Sequence, residues 1–333
     1  MKKNQTILVT GGTGSFGKKF IERILKNFNP KKIIIFSRDE MKQWEMQKIY
    51  QSDKLRFFIG DIRDKDRLAR ALTDVDCVIH AAALKIVPSA EYNPMEYIKT
   101  NVIGAMNLID VAIDKKIKKV IALSTDKACN PINLYGASKL ASDKLFISAN
   151  NYSRYQKTIF SIARYGNVMS SRGSMIPFFL DQNNNNNMFT LTDIKMTRFL
   201  TSLDDAVDTV LLAYEKMIGG EIFVNKNRSV SIFNFLKNLN KNKKIEIIGI
   251  RPGEKINETL ITEDEAPFTY DFGSFYKIIP SIFPKKIKQF TKGAKNRVAN
   301  NFCYSSHTNK EWFTNDEIKK IILNEEKKNF SNT

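Results

Sequence analysis

The chain has 333 residues, 42% of them hydrophobic and 26% charged, a composition that can bury a full core and excludes a largely disordered protein. Its 53 Lys and Arg against 35 Asp and Glu give a net charge of +18; such a field suits a phosphate-bearing ligand, while the thin spread of lysines, without an aromatic-basic strip, argues against nucleic acid. Cys77, Cys129 and Cys303 lie too far apart for a disulfide scaffold or a metal site, and neither a signal peptide nor a membrane-length apolar run is present, so a cytoplasmic protein with reduced thiols, no metal and no membrane span is expected.

In chain order, short β-branched runs alternate with helical patterns. "TILVTGG" precedes a helix over 18–26, "KKIIIFSR" one over 40–50, "LRFFIGDI" the helix "DKDRLARAL", "DCVIHAAA" a long helix near 97–113, and "KKVIALST" a helix over 135–150, before "TIFSIARYGNV". Strands returned by long crossovers pair in parallel. This predicts a doubly wound, Rossmann-like α/β domain over 1–168. After Val168 the rhythm loosens: Asn183 to Asn187 read as a polar surface loop, "SLDDAVDTVLLAYEKM" as an amphipathic helix and "GEIFVN" as a strand. Residues 200–226 are therefore expected to return to the first domain, with 169–199 and 227–333 forming a smaller, mainly substrate-binding C-terminal region. The final "NEEKKNFSNT" reads as frayed.

The first strand-to-helix junction, "TGGTGSFG", carries Gly11, Gly14 and Gly17 with Thr13, Ser15 and Phe16 between them. A tight turn, close approach of a pyrophosphate and helix-on-strand packing each call for glycine, and the open amides of a helix start bind phosphate. At the end of the second strand, Ser37 and Arg38 suit the 2′-phosphate of NADP, whereas a one-residue shift would bring Asp39 to the ribose hydroxyls instead. Glu40, Met41 and Lys42 follow on the same side. Asp61 and Ile62 fall where the adenine would lie, and the small residues around Ala81 let the pyrophosphate approach. His80 is expected to pack rather than ionise.

Tyr135 and Lys139 stand four apart and share a helix face. An ammonium beside a phenol, reinforced by a positively charged nicotinamide, favours phenolate and hence a base for alcohol oxidation. Ser124 and Thr125 end the strand before them.

Through TGxxGxxG at Thr10 to Gly17 and YxxxK at Tyr135 to Lys139, the sequence resembles the extended short-chain dehydrogenase/reductase family. "AALKIVPSAEYNP", "STDKACNPINLYGASK", "RYGNV", "IKMTRF" and "IGIRPGEK" together are similar, across nearly the whole chain, to its inverting UDP-N-acetylglucosamine 4,6-dehydratases, which open pseudaminic acid synthesis. The resemblance implies NADP as cofactor, UDP-N-acetylglucosamine as substrate and a homo-oligomer, dimeric or hexameric. It also implies roles. Lys127 takes the C5 proton once C4 is a ketone, Asp126 protonates the departing C6 hydroxyl, and Thr125 bonds the C4 oxygen. Lys127 suits the base if burial and cationic neighbours lower its pKa, and Asp126 the acid if the same site keeps it protonated. Lys85 and Asn167 become substrate contacts, Arg251 and Glu254 hold the UDP end, and Arg198 either joins them or forms a structural salt bridge. Lys99 and Val168 become cofactor-side contacts. Ile86 departs from the histidine usual after that lysine, which bears on local substrate contacts. A retaining dehydratase or an NDP-sugar 4-epimerase uses the same fold, and a non-catalytic NADP sensor is the alternative from another class.

Overall fold

The computed structural model of the protein describes residues 1, 3–153, 157–169, 171 and 173–330. Strands β1 (Thr6–Thr10), β2 (Lys32–Ser37), β3 (Leu55–Ile59), β4 (Cys77–His80), β5 (Lys119–Thr125) and β6 (Ile159–Tyr165) run parallel in the order β3-β2-β1-β4-β5-β6. The strands at the centre are buried on both faces, so they read as continuous apolar runs rather than as alternation. Successive residues still point to opposite layers: Leu8 joins Phe36, Leu108, Val120 and Phe160, whereas Ile7 and Val9 join Ile21, Ile35, Ile121 and Phe223. Strand order reverses between β1 and β4, which opens a crevice at the carboxyl ends of the strands.

Ile222–Asn225 extends the sheet in parallel beside β6, and Phe275–Ile278, Thr269–Asp271 and Asn296–Arg297 continue it in antiparallel fashion. The helix Leu203–Lys216 leads into that first added strand and starts with a capping box between Ser202 and Asp205. A third apolar cluster, containing Phe179, Phe189, Leu191, Leu200, Val230 and Phe235, gives the C-terminal portion a core of its own.

Three elements differ from the sequence expectation. Asn183 to Asn185 are the last turn of the helix Met175–Asn185, not loop; Lys243 Nζ caps its end by donating to the carbonyls of Gln182 and Asn183 at 2.8 and 2.6 Å. The chain end forms a helix, Asn315–Phe330, because Ile318 and Ile322 dock on the third cluster; residues 331–333 lie outside the described residues. The long helix expected near 97–113 is present as a continuous helical run from Pro94 to Asp114, but differs in winding as a wide π-type turn over Ile98–Ile103 between its α-helical parts. From that turn Asn101 reaches Leu84, accepting from its N–H at 2.9 Å and donating to its carbonyl at 3.0 Å. The turn thereby fixes the loop that follows β4.

Candidate active site

The first half of the site lies at the strand-order reversal. Gly11 adopts φ +66°, and a Cβ there would meet the Ala82 backbone at 2.9 Å; glycine is required for conformation and for space. Helix Ser15–Asn27 opens at Gly14 with no side-chain cap, so its first amides lack intrahelical partners. Phe16 stacks on Tyr165 with ring centroids 6.5 Å apart, and Gly17 is buried against Gly12.

A cavity of about 230 Å³ follows, lined by Gly11, Thr13, Ser37, Arg38, Asp39, Lys42, Asp61 and Ile62. The Asp39 carboxylate caps helix Glu40–Tyr50, accepting from Lys42 N at 3.0 Å, and pairs with Lys42 Nζ. Asp61 is tied to Arg63 at 2.7 Å and lies 3.5 Å from the half-exposed Arg38. Burial would raise the Asp61 carboxyl, but Arg63 outweighs it and holds the group below its ordinary range. His80 packs as expected. Its Nδ1 lies 2.8 Å from Thr10 Oγ1, and burial, with Lys139 adding to it, drops its pKa to about 3. Ala81 sits beside it, its N–H bonded to the Thr10 carbonyl at 3.2 Å. Glu40 and Met41 point outward instead. Lys99 is likewise not brought to the crevice: it pairs with Glu96 at 3.2 Å on an exposed face, and its neighbour Thr100 lines the cavity.

The second half forms where β5 ends. Thr125 closes the strand, and Asp126–Ala128 make one tight turn that Thr125 caps. Thr125 Oγ1 donates to Asp126 Oδ1 at 2.8 Å. Lys127 Nζ lies 3.0 Å from Asp126 Oδ1, 3.1 Å from Glu258 Oε1 and 3.5 Å from Asn167 Oδ1. Burial alone would lower the Lys127 pKa. The two carboxylates outweigh burial and raise it, which corrects the lowered pKa expected from cationic crowding; the crowding around this amine is anionic. Asp126 does have a raised pKa, through burial first and Glu258 second, against the pull of Lys127.

Helix Leu134–Ala149 begins at Asn133, whose side chain accepts from Gly136 N at 2.7 Å. A Cβ on Gly136 would lie 2.2 Å from the Lys127 carbonyl oxygen, so glycine lets this helix rest directly on the Asp126–Lys127 turn. Burial pushes the Tyr135 phenol up to about 12, with the Lys127 charge and a Thr125 hydrogen bond acting the other way. The cation that favours the phenolate is thus Lys127, not the Lys139 expected from the helix spacing. Lys139 Nζ donates to the Leu123 carbonyl at 2.7 Å, and burial lowers its pKa against the opposing charge of Asp143. Ser124 Oγ in turn donates to Asp143 Oδ2 at 2.6 Å.

A cleft of about 430 Å³ extends from Lys127, with Asn133, Asn167, Arg198, Arg251, Glu254 and Glu258 as polar walls and Phe178, Phe179 and Met175 as apolar ones. The Arg251 guanidinium lies 5.9 Å from the Phe178 ring centre. Glu254 accepts from Thr192 Oγ1 at 2.7 Å. Arg198 gives its donors to the carbonyls of Thr197, Ile256 and Lys255 at 2.7 to 2.9 Å, so it builds the wall as well as lining it. Val168 pairs with the strand Thr197–Thr201. Lys85 donates to Ser171 Oγ at 3.2 Å, and burial, then the Lys127 charge, lowers its pKa. Ile86 is 58% exposed, its carbonyl accepting from Tyr97 at 2.6 Å.

Three contributors went unread in the sequence. Asn133 Nδ2 donates to the Gly253 carbonyl at 2.7 Å, Lys255 Nζ donates to the Cys129 carbonyl at 2.6 Å, and Glu258 grips Lys127. Together they clamp the Arg251-to-Glu258 segment onto the Asp126–Ala128 turn and the start of the helix after it. Their only signals were position: Lys255 ends "RPGEK", Glu258 follows it closely, and Asn133 lies within "STDKACNPINLYGASK". Among the described residues no cluster of His, Cys, Asp or Glu fits a metal ion, and no helix is long and apolar enough to cross a membrane.

A glycine-turn crevice on a doubly wound sheet, joined to Thr125, Tyr135 and Lys139 at the end of β5, defines the extended short-chain dehydrogenase/reductase class. Within it the chain belongs to the family described as "Polysaccharide biosynthesis protein", whose model matches residues 7–280. A Campylobacter jejuni protein named "UDP-N-acetylglucosamine 4,6-dehydratase (inverting)" is 51% identical over 97% of this chain and 98% of its own. A Rickettsia bellii protein named "UDP-glucose 4-epimerase" is 44% identical over 96% of each. Among solved structures, Pen from Bacillus thuringiensis superposes with a TM-score of 0.89 at 36% identity, covering 97% of this chain and 98% of that one.

Proposed function

We propose that the protein is an NADP-dependent UDP-N-acetylglucosamine 4,6-dehydratase that inverts C5, a lyase yielding UDP-2-acetamido-2,6-dideoxy-β-L-arabino-hex-4-ulose. The observation that carries this reading is the Asp126–Lys127 pair, 3.0 Å apart, with Asp126 buried and Lys127 lining the cleft. An alcohol oxidation or a 4-epimerisation has no work for such a pair; removal of water across C5 and C6 needs an acid and a base there. The name of the Campylobacter relative agrees with it.

The crevice residues suit NADP. Gly11 leaves room for a pyrophosphate, the start of helix Ser15–Asn27 offers amides, and Ser37, Arg38 and Lys42 line the pocket where a 2′-phosphate would lie, with Asp39 engaged as a helix cap. Held there, NADP would supply the hydride acceptor for C4 and the hydride donor for C6. Tyr135 takes the C4 hydroxyl proton, and Thr125 supports the resulting oxygen. Lys127 removes the C5 proton, which the C4 ketone has made acidic, and Asp126 protonates the C6 hydroxyl so that it leaves as water. A solvent-derived proton added to C5 from the opposite face completes the inversion, with Lys127 and Asp126 returned to ammonium and carboxylate. Arg251 suits the diphosphate and Glu254 the ribose hydroxyls.

In this reading residues 1–168 and 200–226 carry the cofactor, and 169–199 with 227–333 carry the sugar nucleotide. The exposed Met95, Ile103 and Met106 support a homo-oligomer, dimeric or hexameric, built on helices flanking the sheet. A cytoplasmic enzyme at the head of pseudaminic acid synthesis is the corresponding cellular role.

Incubation with UDP-N-acetylglucosamine in deuterated water tests the reaction. The expected product has lost one water and carries deuterium at C5 with inverted configuration, read by mass spectrometry and NMR. A product of unchanged mass, inverted at C4, would instead establish the epimerase reading that the Rickettsia name favours.

A further inference from the structure

We propose that Glu258 is a positioning residue that holds the Lys127 amine at the floor of the cleft and governs how readily it passes a proton to Asp126. The inference rests on the dehydratase reading for its chemistry, though its geometry stands apart. Lys127 Nζ is held between two carboxyls from distant parts of the chain, Asp126 Oδ1 at 3.0 Å and Glu258 Oε1 at 3.1 Å. The Glu258 side chain is only 3% exposed. Its backbone is pinned on both sides: its N–H donates to Ser306 Oγ at 2.9 Å, and its carbonyl accepts from Ser306 N at 2.8 Å and Ser305 Oγ at 3.1 Å. Such anchoring fixes where the carboxylate stands. Its second oxygen, Oε2, and the second oxygen of Asp126, Oδ2, are buried with no hydrogen-bond partner among the described residues, an arrangement that is costly unless a proton or a ligand uses those atoms.

The proton balance follows from the distances. Moving one proton from Lys127 Nζ to Asp126 Oδ1 breaks an N–H bond, forms an O–H bond and turns an ammonium-carboxylate pair into an amine and a carboxylic acid. That neutral pair is the base for C5 and the acid for the C6 hydroxyl, with no proton exchanged with solvent. Glu258 stabilises the ammonium and so opposes the transfer, while Arg198 Nε, 3.9 Å from Glu258 Oε1, draws part of that negative charge away. Lys255 and Glu254 on its own segment, Lys85 on the loop after β4 and Tyr135 on the facing helix complete the charged and titratable surroundings. Burial would raise the Glu258 carboxyl, but Lys127 and Arg198 keep it low, whereas Asp126 is high. The remaining negative charge therefore rests on Glu258, and Asp126 is the one that takes the proton.

Competitive acetylation of the intact protein across a pH series, with mass spectrometry of the Lys127 peptide, reads the amine without any turnover. Glu258→Gln keeps the shape and removes the charge; its Lys127 midpoint is expected to fall by about one pH unit, labelling about tenfold faster below that midpoint. Glu258→Asp retains the charge and keeps the midpoint near that of the parent protein. With UDP-N-acetylglucosamine, the acidic limb of the kcat profile of Glu258→Gln should move down by the same interval while KM changes less than about threefold, and Glu258→Ala should lose about a hundredfold in kcat. An unmoved Lys127 midpoint in Glu258→Gln overturns the proposal. So does a midpoint in the unmutated protein no higher than that of its exposed lysines, which requires no variant to fold. If the unmutated protein does not turn over the sugar nucleotide, the dehydratase reading fails, and the labelling result still decides the role of Glu258.

Discussion

Lys139 and Lys127 are both buried beside the end of β5, yet they stand on opposite sides of the ordinary ammonium range. Lys139 sits on the helix face that carries Tyr135 and bonds a neutral carbonyl, that of Leu123, with Asp143 as the opposing charge. Lys127 sits on the turn and touches two carboxylates at about hydrogen-bond distance. Desolvation penalises both; only at the turn is the countercharge close enough to reverse it, because Coulomb attraction rises steeply as separation falls in a low-dielectric interior. The helix region is therefore suited to holding a substrate hydroxyl beside the cofactor crevice, and the turn to storing a proton that can be moved.

The largest expected effect tests the turn. Lys127→Ala should reduce dehydration by about a thousandfold, followed by NMR of product in deuterated water, while cofactor retention, read by fluorescence, stays intact; turnover near the parent rate in a folded variant would remove the turn from the reaction. His80 extends the comparison to a buried base that no carboxylate faces. Its ordinary pKa of 6.5 falls to about 3 in the fold, so between these values the unfolded chain binds the proton and the native chain does not. Stability from this site is complete above pH 6.5 and declines as pH falls toward 3. In urea titrations at a series of pH values, His80→Gln should flatten that decline.

Arg38 tests the crevice cations. Arg38→Ala should weaken NADP by about ten- to a hundredfold and leave NAD nearly unchanged, as measured by calorimetry. Gly136→Ala tests the seam between the helix and the turn: the added methyl meets the Lys127 carbonyl, so a loss of about 1–3 kcal/mol in urea-derived stability is expected, with slower dehydration as the turn is displaced. The smallest effect is reserved for Lys99→Ala. Its ammonium pairs with Glu96 outside the crevice, and a solvent-screened exposed pair contributes little, so NADP affinity should change less than about twofold. A larger loss would bring Lys99 into the crevice after all.

Features that depend on neighbours in sequence were legible before the fold was known. Gly11, Gly14 and Gly17 announce a phosphate turn because all three act within one strand-to-helix junction, and Tyr135 with Lys139 share a helix face by periodicity alone. Asp126 and Lys127 stood out as adjacent groups of opposite charge, and their acid and base roles came only from the family resemblance. The direction of the Lys127 shift was not, since it depends on Glu258, which arrives on a segment pinned by Ser305 and Ser306. The Asn183–Asn185 turn was misread for a similar reason: a polar tract suggests a loop until Lys243, from a later part of the chain, caps it as helix.

What the sequence alone determined is the alternation of strand and helix, the glycine cradle, and which residue types meet at the end of β5, because period, propensity and spacing act over a few residues. Only the tertiary structure decided the charge states. Burial and countercharge are set by whichever distant segments pack within a few ångströms, and an ammonium between two carboxylates behaves unlike the same ammonium against a peptide carbonyl.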